Sequence, residues 1–328
     1  MFADQPAAIA AIEQLGGRVE VDQNRSDKPV IGVELRGSNA TDAKLTTLES
    51  FDELQELDLG NTAVTDAGLK HIAKLTHLHW LMLSSTAITD AGLAHLKGLR
   101  HLRSLNLYGT KITDAGLEHV TGLSELKNLM MGGTKVTDAG LVHLHGMRHL
   151  EGLGLNFTEV TDAGLQHLQR LTNLQSLDLN GTQVRGLGLK HIAGLKQLQS
   201  LWLDDTPITD EGLKHVAGLT KMEFFLLGHT RVTDAGLAHL KGMTQLRELR
   251  LQNTSIRGPG LTHLQGMTEL RSLWLDGTEV NDAALEHLKS LKELKELWFV
   301  GTEVTRGGVR KLQDALPKCE IEAGELAR

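Results

Sequence analysis

The sequence predicts an α/β repeat solenoid, with one parallel sheet lining one face and short helices the other. Three observations predict it: an unbroken period of 24 residues, a change of hydrophobic spacing inside each period, and only short end segments left over. Thr62, Thr86, Thr110, Thr134, Thr158, Thr182, Thr206, Thr230, Thr254, Thr278 and Thr302 recur at intervals of 24. Ser38 stands one period upstream and marks a degenerate first unit, which makes about twelve units in all. Self-similarity on this scale is the mark of stacked repeats that share one continuous core.

A single unit shows why each element forms. Leu105 and Leu107 alternate with polar neighbours, the spacing of a strand with one buried face. Leu117 and Val120 lie three apart, on one side of a short helix. Thr113 stands where an N-cap belongs, and Asp114 where a helix start favours negative charge. Strand, turn and helix together are too short to bury their own leucines, so stacking must close the core. The same pattern, L-x-x-L-x-x-L-x-L-x-x-T-x-[VI]-T-D-A-G-L-x-H-L-x-G, runs along the chain. It predicts three segments: a helix–strand cap over residues 1–29, the solenoid over 30–304, and a C-terminal helix and cap over 305–328. In the first cap, Ala7 to Leu15 reads as a helix stopped by Gly16 and Gly17, and Arg18 to Val21 as a strand. In the last, Val309 to Leu316 reads as a helix stopped by Pro317, and Cys319 to Ile321 as a final strand.

These motifs resemble the leucine-rich repeat family over about residues 30–316. The T-D-A-G-L half is similar to a bacterial 24-residue subtype related to the cysteine-containing repeats of ubiquitin-ligase receptors. The resemblance implies a horseshoe with the sheet on its concave face and helices on its convex face, and protein interaction as the usual role. The chain carries Thr where the family commonly forms an Asn ladder. A Thr hydroxyl can also bond backbone groups, so the expectation is that it joins adjacent coils.

Composition narrows the function classes. Acidic residues number 41 and basic residues 34, a formal net charge of −7, which is not the footprint of a nucleic-acid binder. The single cysteine, Cys319, excludes a disulfide framework and a cysteine-rich zinc site. No apolar run approaches the roughly 20 residues of a membrane span. The start, Met1 to Pro6, shows no signal-peptide pattern, and the compartment stays open. Gly181 and Gly186 have phosphate-loop spacing, but Leu187 follows where lysine is required. No metalloprotease, nucleophile-elbow or calcium-loop motif occurs. The chain therefore reads as a non-enzyme with no cofactor and no metal.

Histidine is over-represented at one repeat position. Ten of the sixteen, from His71 to His287, form a column on the helical side. The expectation is that each ring packs between coils and bonds backbone or Thr, with acid lability as the consequence. His143, His145 and His149 are the densest group, without the supporting ligands a metal needs. Four units depart from T-D-A-G: Arg185–Gly188, Arg257–Gly260, Asn281–Ala284 and Thr305–Gly308. They read as drift.

Aromatic residues make up only 3 % of the chain, so their placement is informative. All four Trp and the one Tyr fall on strand positions that point away from the core. Two binding stations follow. Trp80, Met82, Tyr108 and Met130 form the first; Trp202, Phe224, Leu226, Arg250, Trp274 and Trp298 form the second. Arg250 lies one period from Trp274, where it can stack on the indole. Gly152 and Gly154 are expected to leave a shallow gap. Clustered outward aromatics are a binding signal. The reading is a recognition scaffold for a protein or peptide, the alternatives being a spacer solenoid without a dedicated ligand or a glycan-binding module. Self-association is a further partner class.

Overall fold

The computed structural model describes residues 5–324, so residues 1–4 of the first cap and 325–328 of the last lie outside the described residues. The chain divides between Glu159 and Val160 into two compact units. In the first, the helix Gln5–Gln14 precedes β1 (Arg18–Val21), β2 (Val30–Glu34), β3 (Glu56–Asp58), β4 (Trp80–Met82), β5 (Ser104–Asn106), β6 (Asn128–Met130) and β7 (Gly152–Gly154). β1 pairs antiparallel with β2, and β2 to β7 follow in parallel order. The second unit holds β8 (Ser176–Asp178), β9 (Ser200–Trp202), β10 (Phe224–Leu226), β11 (Glu248–Arg250), β12 (Ser272–Trp274), β13 (Glu296–Trp298) and β14 (Glu320–Glu322). They are parallel in chain order, with the helix Arg306–Ala315 leading into β14.

From β2 to β7 and from β8 to β14 the register advances by one repeat, as in Leu81 opposite Leu105 and Leu249 opposite Leu273. Equivalent residues therefore stand in columns, about 4.8 Å apart in a sheet. Leu102, Leu105, Leu107, Ile112, Leu117 and Val120 of one coil are all fully buried. Each such side chain contributes about 1.5–3 kcal/mol on burial, so the coil is held by its neighbours and not by its own few hydrogen bonds. The helical side is short, about one α turn over Asp66–Leu69 and about two 3₁₀ turns over Asp114–Val120. The 3₁₀ turn suits the spacing, because its three residues per turn place Leu117 and Val120 on the same side. Phe51, Phe225 and Phe299 fill leucine positions in the core.

The T-D-A-G motif caps its turn as expected, with the Thr65, Thr137 and Thr233 hydroxyls accepting from the N–H groups of Ala67, Ala139 and Ala235, and it has a second job. The Asp carboxylate does not stay with its own turn; it bonds the next coil. Asp90 Oδ1 accepts from the Thr113 N–H at 2.8 Å and Asp90 Oδ2 from the Thr113 hydroxyl at 2.6 Å. The same pair of bonds joins Asp42 to Thr65, Asp66 to Thr89, Asp114 to Thr137, Asp210 to Thr233 and Asp282 to Thr305. The glycine of the motif makes room for this carboxylate. A Cβ on Gly116 would run into Asp90 Oδ1, and one on Gly92 into Asp66 Oδ1. The other repeat threonine stays within its own coil. From Thr62 to Thr302, its hydroxyl donates to the carbonyl three residues back at 2.5–2.8 Å, as Thr110 does to Leu107. The expected inter-coil Thr ladder is thus carried by Asp instead.

The irregular turns are compensated, not random. Arg185–Gly188 lacks the Thr hydroxyl, and Asp162 is satisfied there by the N–H groups of Arg185, Gly186 and Gly188. Asp234 receives the equivalent bonds from Arg257, Gly258 and Gly260. Gly186 and Gly258 take φ of 112° and 119°, a conformation open to glycine. Both stand where Asp belongs, so neither coil offers a carboxylate to the next. In the coil after Gly258, Ala284 replaces the motif glycine, and its methyl occupies the place where a Gly258 Cβ would fall.

The ends also differ in detail from expectation. The first helix begins at Gln5 and buries Ala8 and Ile12, the last begins at Arg306 and buries Leu312, and the final strand is Glu320–Glu322.

Removing Asp90 should leave a Thr113 N–H and hydroxyl unpaired, so Asp90→Ala is expected to cost about 2–4 kcal/mol in urea unfolding. Gly116→Ala should cost about 1–3 kcal/mol through overpacking. The double variant should lose less than the two costs added, by about 0.5 kcal/mol or more, because the methyl then fills the vacated carboxylate site. Strict additivity would show that the glycine does not serve the Asp.

Candidate ligand-binding face

The outward strand positions build the site. In the second unit, register places Trp202, Leu226, Arg250, Trp274 and Trp298 in one column across β9 to β13. The Trp274 and Trp298 rings stack at 4.8 Å between centroids and 7° between planes. That separation equals the strand spacing, so the sheet itself holds the stack. On the other side, the Arg250 guanidinium carbon lies 5.0 Å from the Trp274 ring centroid. Glu248 fixes that guanidinium, accepting from Arg250 Nε at 2.6 Å. Trp274 Nε1 donates to Ser272 Oγ at 3.1 Å, and Ser272 Oγ donates to Glu296 at 2.9 Å. Trp202, Trp274 and Trp298 all remain half-buried, with part of each residue open to solvent.

Phe224, on the neighbouring outward column, is 36 % exposed, whereas Leu226 is only 8 % exposed. The sequence places Leu226 correctly on the outward side, but its neighbours cover it, so it is a floor for this face and not a projecting group.

In the first unit, Trp80, Met82 and Met130 are half-buried and Tyr108 is exposed. Trp80 borders a depression of about 290 Å³ that also meets Arg18, Glu20, Glu34, Glu56 and Asp58. The gap expected at Gly152 and Gly154 does not exist. Met130 folds over it, with Sδ 2.7 Å from where a Gly154 Cβ would stand and Cε 3.4 Å from the corresponding point on Gly152. Gly154 leaves room for the methionine sulfur, and Gly152 chiefly for the Asn128 amide oxygen.

Two features escape the column argument. Phe157 is the first. It is 57 % exposed and holds a φ of 55° at a turn position that Asn61, Ser85, Asp205, His229 and Asn253 occupy elsewhere. Comparing that turn position between repeats would have found it, since an aromatic is out of place in left-handed backbone. The second is a set of carboxylates beside the aromatic column. Burial pushes the Asp178 carboxyl up to about 6; the Asn180 N–H opposes this and Asp204 adds to it. Burial likewise raises Asp204 and Asp276, against bonds from the N–H groups of Gly228 and Val300.

The histidine column is less buried than expected. Nine of its ten residues are half-buried on the helical side, and His95 is exposed. His71 Nδ1 meets Glu49 of the preceding coil at 2.5 Å, and His119 Nδ1 is buried without a partner. Among the described residues, no group of three or more His, Cys, Asp or Glu converges as metal ligands do. Cys319 is buried, and burial followed by Glu296 and Glu320 pushes its thiol up to about 11, far from an activated nucleophile. No described helix is long and apolar enough to cross a membrane.

Comparison with known proteins agrees with this architecture. A family model described as a leucine-rich repeat region matches residues 153–323, and a second leucine-rich repeat model matches residues 52–112. The chain belongs to the leucine-rich repeat family. Among solved structures it is similar to an internalin (inlF) of Listeria monocytogenes, at 20% identity and a TM-score of 0.69, over 99% of this chain and 95% of that one. A leucine-rich repeat protein of Leptospira interrogans is similar at 21% identity and a TM-score of 0.65, over 84% and 74% of the two chains. The plant peptide hormone receptor RGFR1, solved in complex with RGF2, is similar at 15% identity and a TM-score of 0.54, over 85% and 48%. Comparison of the sequence with curated proteins finds no match.

The Asp178 carboxyl has a pH signature. Its folded value lies above the ordinary carboxylate range, so between about pH 4 and 6 the folded chain binds more protons than the unfolded one. Stability from this group falls as pH rises through that window, and the deficit is complete above it. Asp178→Asn keeps an oxygen for the Asn180 N–H and should raise stability at pH 7.5 by about 1–2 kcal/mol after allowance for solvent screening. The gain should shrink towards zero near pH 4 in urea titrations. A gain independent of pH would show that Asp178 is not desolvated.

Proposed function

We propose that the protein is a non-enzymatic recognition scaffold whose outward sheet face holds a protein or peptide. The observation that carries this reading is the Trp274–Trp298 stack with half-open Trp202 and exposed Phe224 beside it. The core is already closed by leucines, so packing does not call for tryptophan on the other side of the sheet. Rigid aromatic groups with part of their surface in water are what binding hot spots are made of. Trp80, Met82, Tyr108 and Met130 offer a second contact area on the first unit. The plant receptor RGFR1, whose structure holds RGF2, lends support at the level of the shared fold. The repeats fit the bacterial 24-residue T-D-A-G-L type, a reading supported by the regular Asp–Thr pairing and by neighbours from Listeria and Leptospira.

A capture experiment tests the proposal. Wild type and a Trp202→Ala/Trp274→Ala/Trp298→Ala variant are immobilised and exposed to the same extract and to a glycan array. A protein retained by wild type at about tenfold or more over the variant is the expected result. Equal capture by both, or no capture by either, would overturn the ligand face in favour of a spacer. Variant-sensitive binding to the array alone would replace the protein ligand with a glycan.

A further inference from the structure

The aromatic face of the second unit is unbalanced in charge. Over the chain, acidic residues outnumber basic ones only as 41 to 34. On the central outward column of β8 to β14 and the column that follows it stand Asp178, Asp204, Asp276 and Glu322, against Arg250 as the one cation among the described residues there. Other cations, Arg247, Arg271 and Lys295, sit just before the strands, away from the end where Asp204 and Asp276 lie.

Arg250 demonstrates what this face accepts. An indole and a carboxylate share one guanidinium: Trp274 takes its flat side, 5.0 Å away, and Glu248 takes Nε. Trp202 has the same two components but no ion-paired cation of the chain's own. Asp178 stands directly beside it in register, and Asp204 follows it by two residues on the same side of the strand. Asp178 accepts from the Asn180 N–H at 3.0 Å and Asp204 from the Gly228 N–H at 2.6 Å. Neither forms an ion pair among the described residues, and Arg250, which acts on Asp204 from two strands away, is engaged by Glu248. Burial holds both carboxyls above their ordinary range; no cation opposes this at Asp178, and at Asp204 the pull of Arg250 and His229 does not offset it. Phe224 and Leu226, on the strand beyond Trp202, supply an apolar floor next to it.

Building on the reading of this face as a ligand surface, we infer that Trp202, Asp178 and Asp204 form a subsite for an arginine side chain of a basic peptide. A planar guanidinium can lie on the indole while its edge donates to the carboxylates, which a lysine ammonium does less completely.

Fluorescence anisotropy with a fluorescein-labelled Arg-Gly-Ser repeat peptide tests this, beside the same peptide with citrulline, a neutral isostere, in place of arginine. Wild type should bind the arginine form about tenfold or more tightly than the citrulline form. Asp178→Asn/Asp204→Asn and, separately, Trp202→Ala should each weaken the arginine form by a similar factor. Glu269→Gln, an exposed charge off this face, should change it less than about twofold. Equal binding of the two peptides by wild type overturns the subsite without recourse to any variant. Wild-type affinity in the double variant overturns it too, as does a loss in Glu269→Gln as large as in the double variant, since that reports net charge alone. If the peptide does not bind while the triple-Trp variant still loses a captured protein, the subsite is wrong and the ligand face stands. If both signals are missing, both readings fall.

Discussion

The structure depends on a carboxylate that most coils share with the next. Hydrophobic burial favours stacking, but leucine against leucine has no sense of register, and flat coils could slide. The Asp of T-D-A-G removes that freedom. It accepts from a backbone N–H and a hydroxyl of the following Thr, as Asp90 does from Thr113, and both bonds are lost if the coils shift. The motif then reads as one device distributed over two coils: Asp from one, Thr and Gly from the next, the glycine kept bare so that the carboxylate can come in.

This sharing also explains what was legible in the sequence. The period of 24 settles which residues stand beside one another, and the alternation of Leu105 and Leu107 settles which side they take. The fold, the core and the outward positions of Trp202, Trp274 and Trp298 follow from those two facts alone. Direction of reach does not. Asp114 looks like a helix-start residue in sequence because its own turn begins there, and only the coordinates show its oxygens on Thr137. The R-G-x-G turns look like drift for the same reason. Their compensation lies in another coil, three N–H donors to Asp162 in one direction and the methyl of Ala284 against Gly258 in the other. Side-chain length hides in the same way: Gly154 reads as a gap until Met130 is seen to lie over it.

Register sets the chemistry of the face as well as its shape. Identical positions one strand apart are close enough for rings to stack and for charges to interact strongly. A column can therefore hold an aromatic stack, as Trp274 and Trp298 do, and a charge on the column beside it can act across strands, as Asp204 does in raising the proton affinity of Asp178. Desolvated acids next to indole are costly to the folded chain and useful only where a cation arrives. Arg250 meets that need at Trp274, and its geometry there is the internal model for what Trp202 lacks.

The same placement decides how acid acts on the second unit. A histidine whose ring the fold holds below its ordinary value costs stability as pH falls. His215 has that sign: burial first, then Lys214 and Lys190, hold its ring below the ordinary value, so below about 6.5 the unfolded chain takes the proton and stability is lost. Asp178 has the opposite sign, because protonation at about 6 relieves a buried charge that the fold tolerates poorly. The two groups lie on opposite sides of the sheet, one on the helical side and one beside Trp202, and their contributions to stability change with opposite sign as the pH falls.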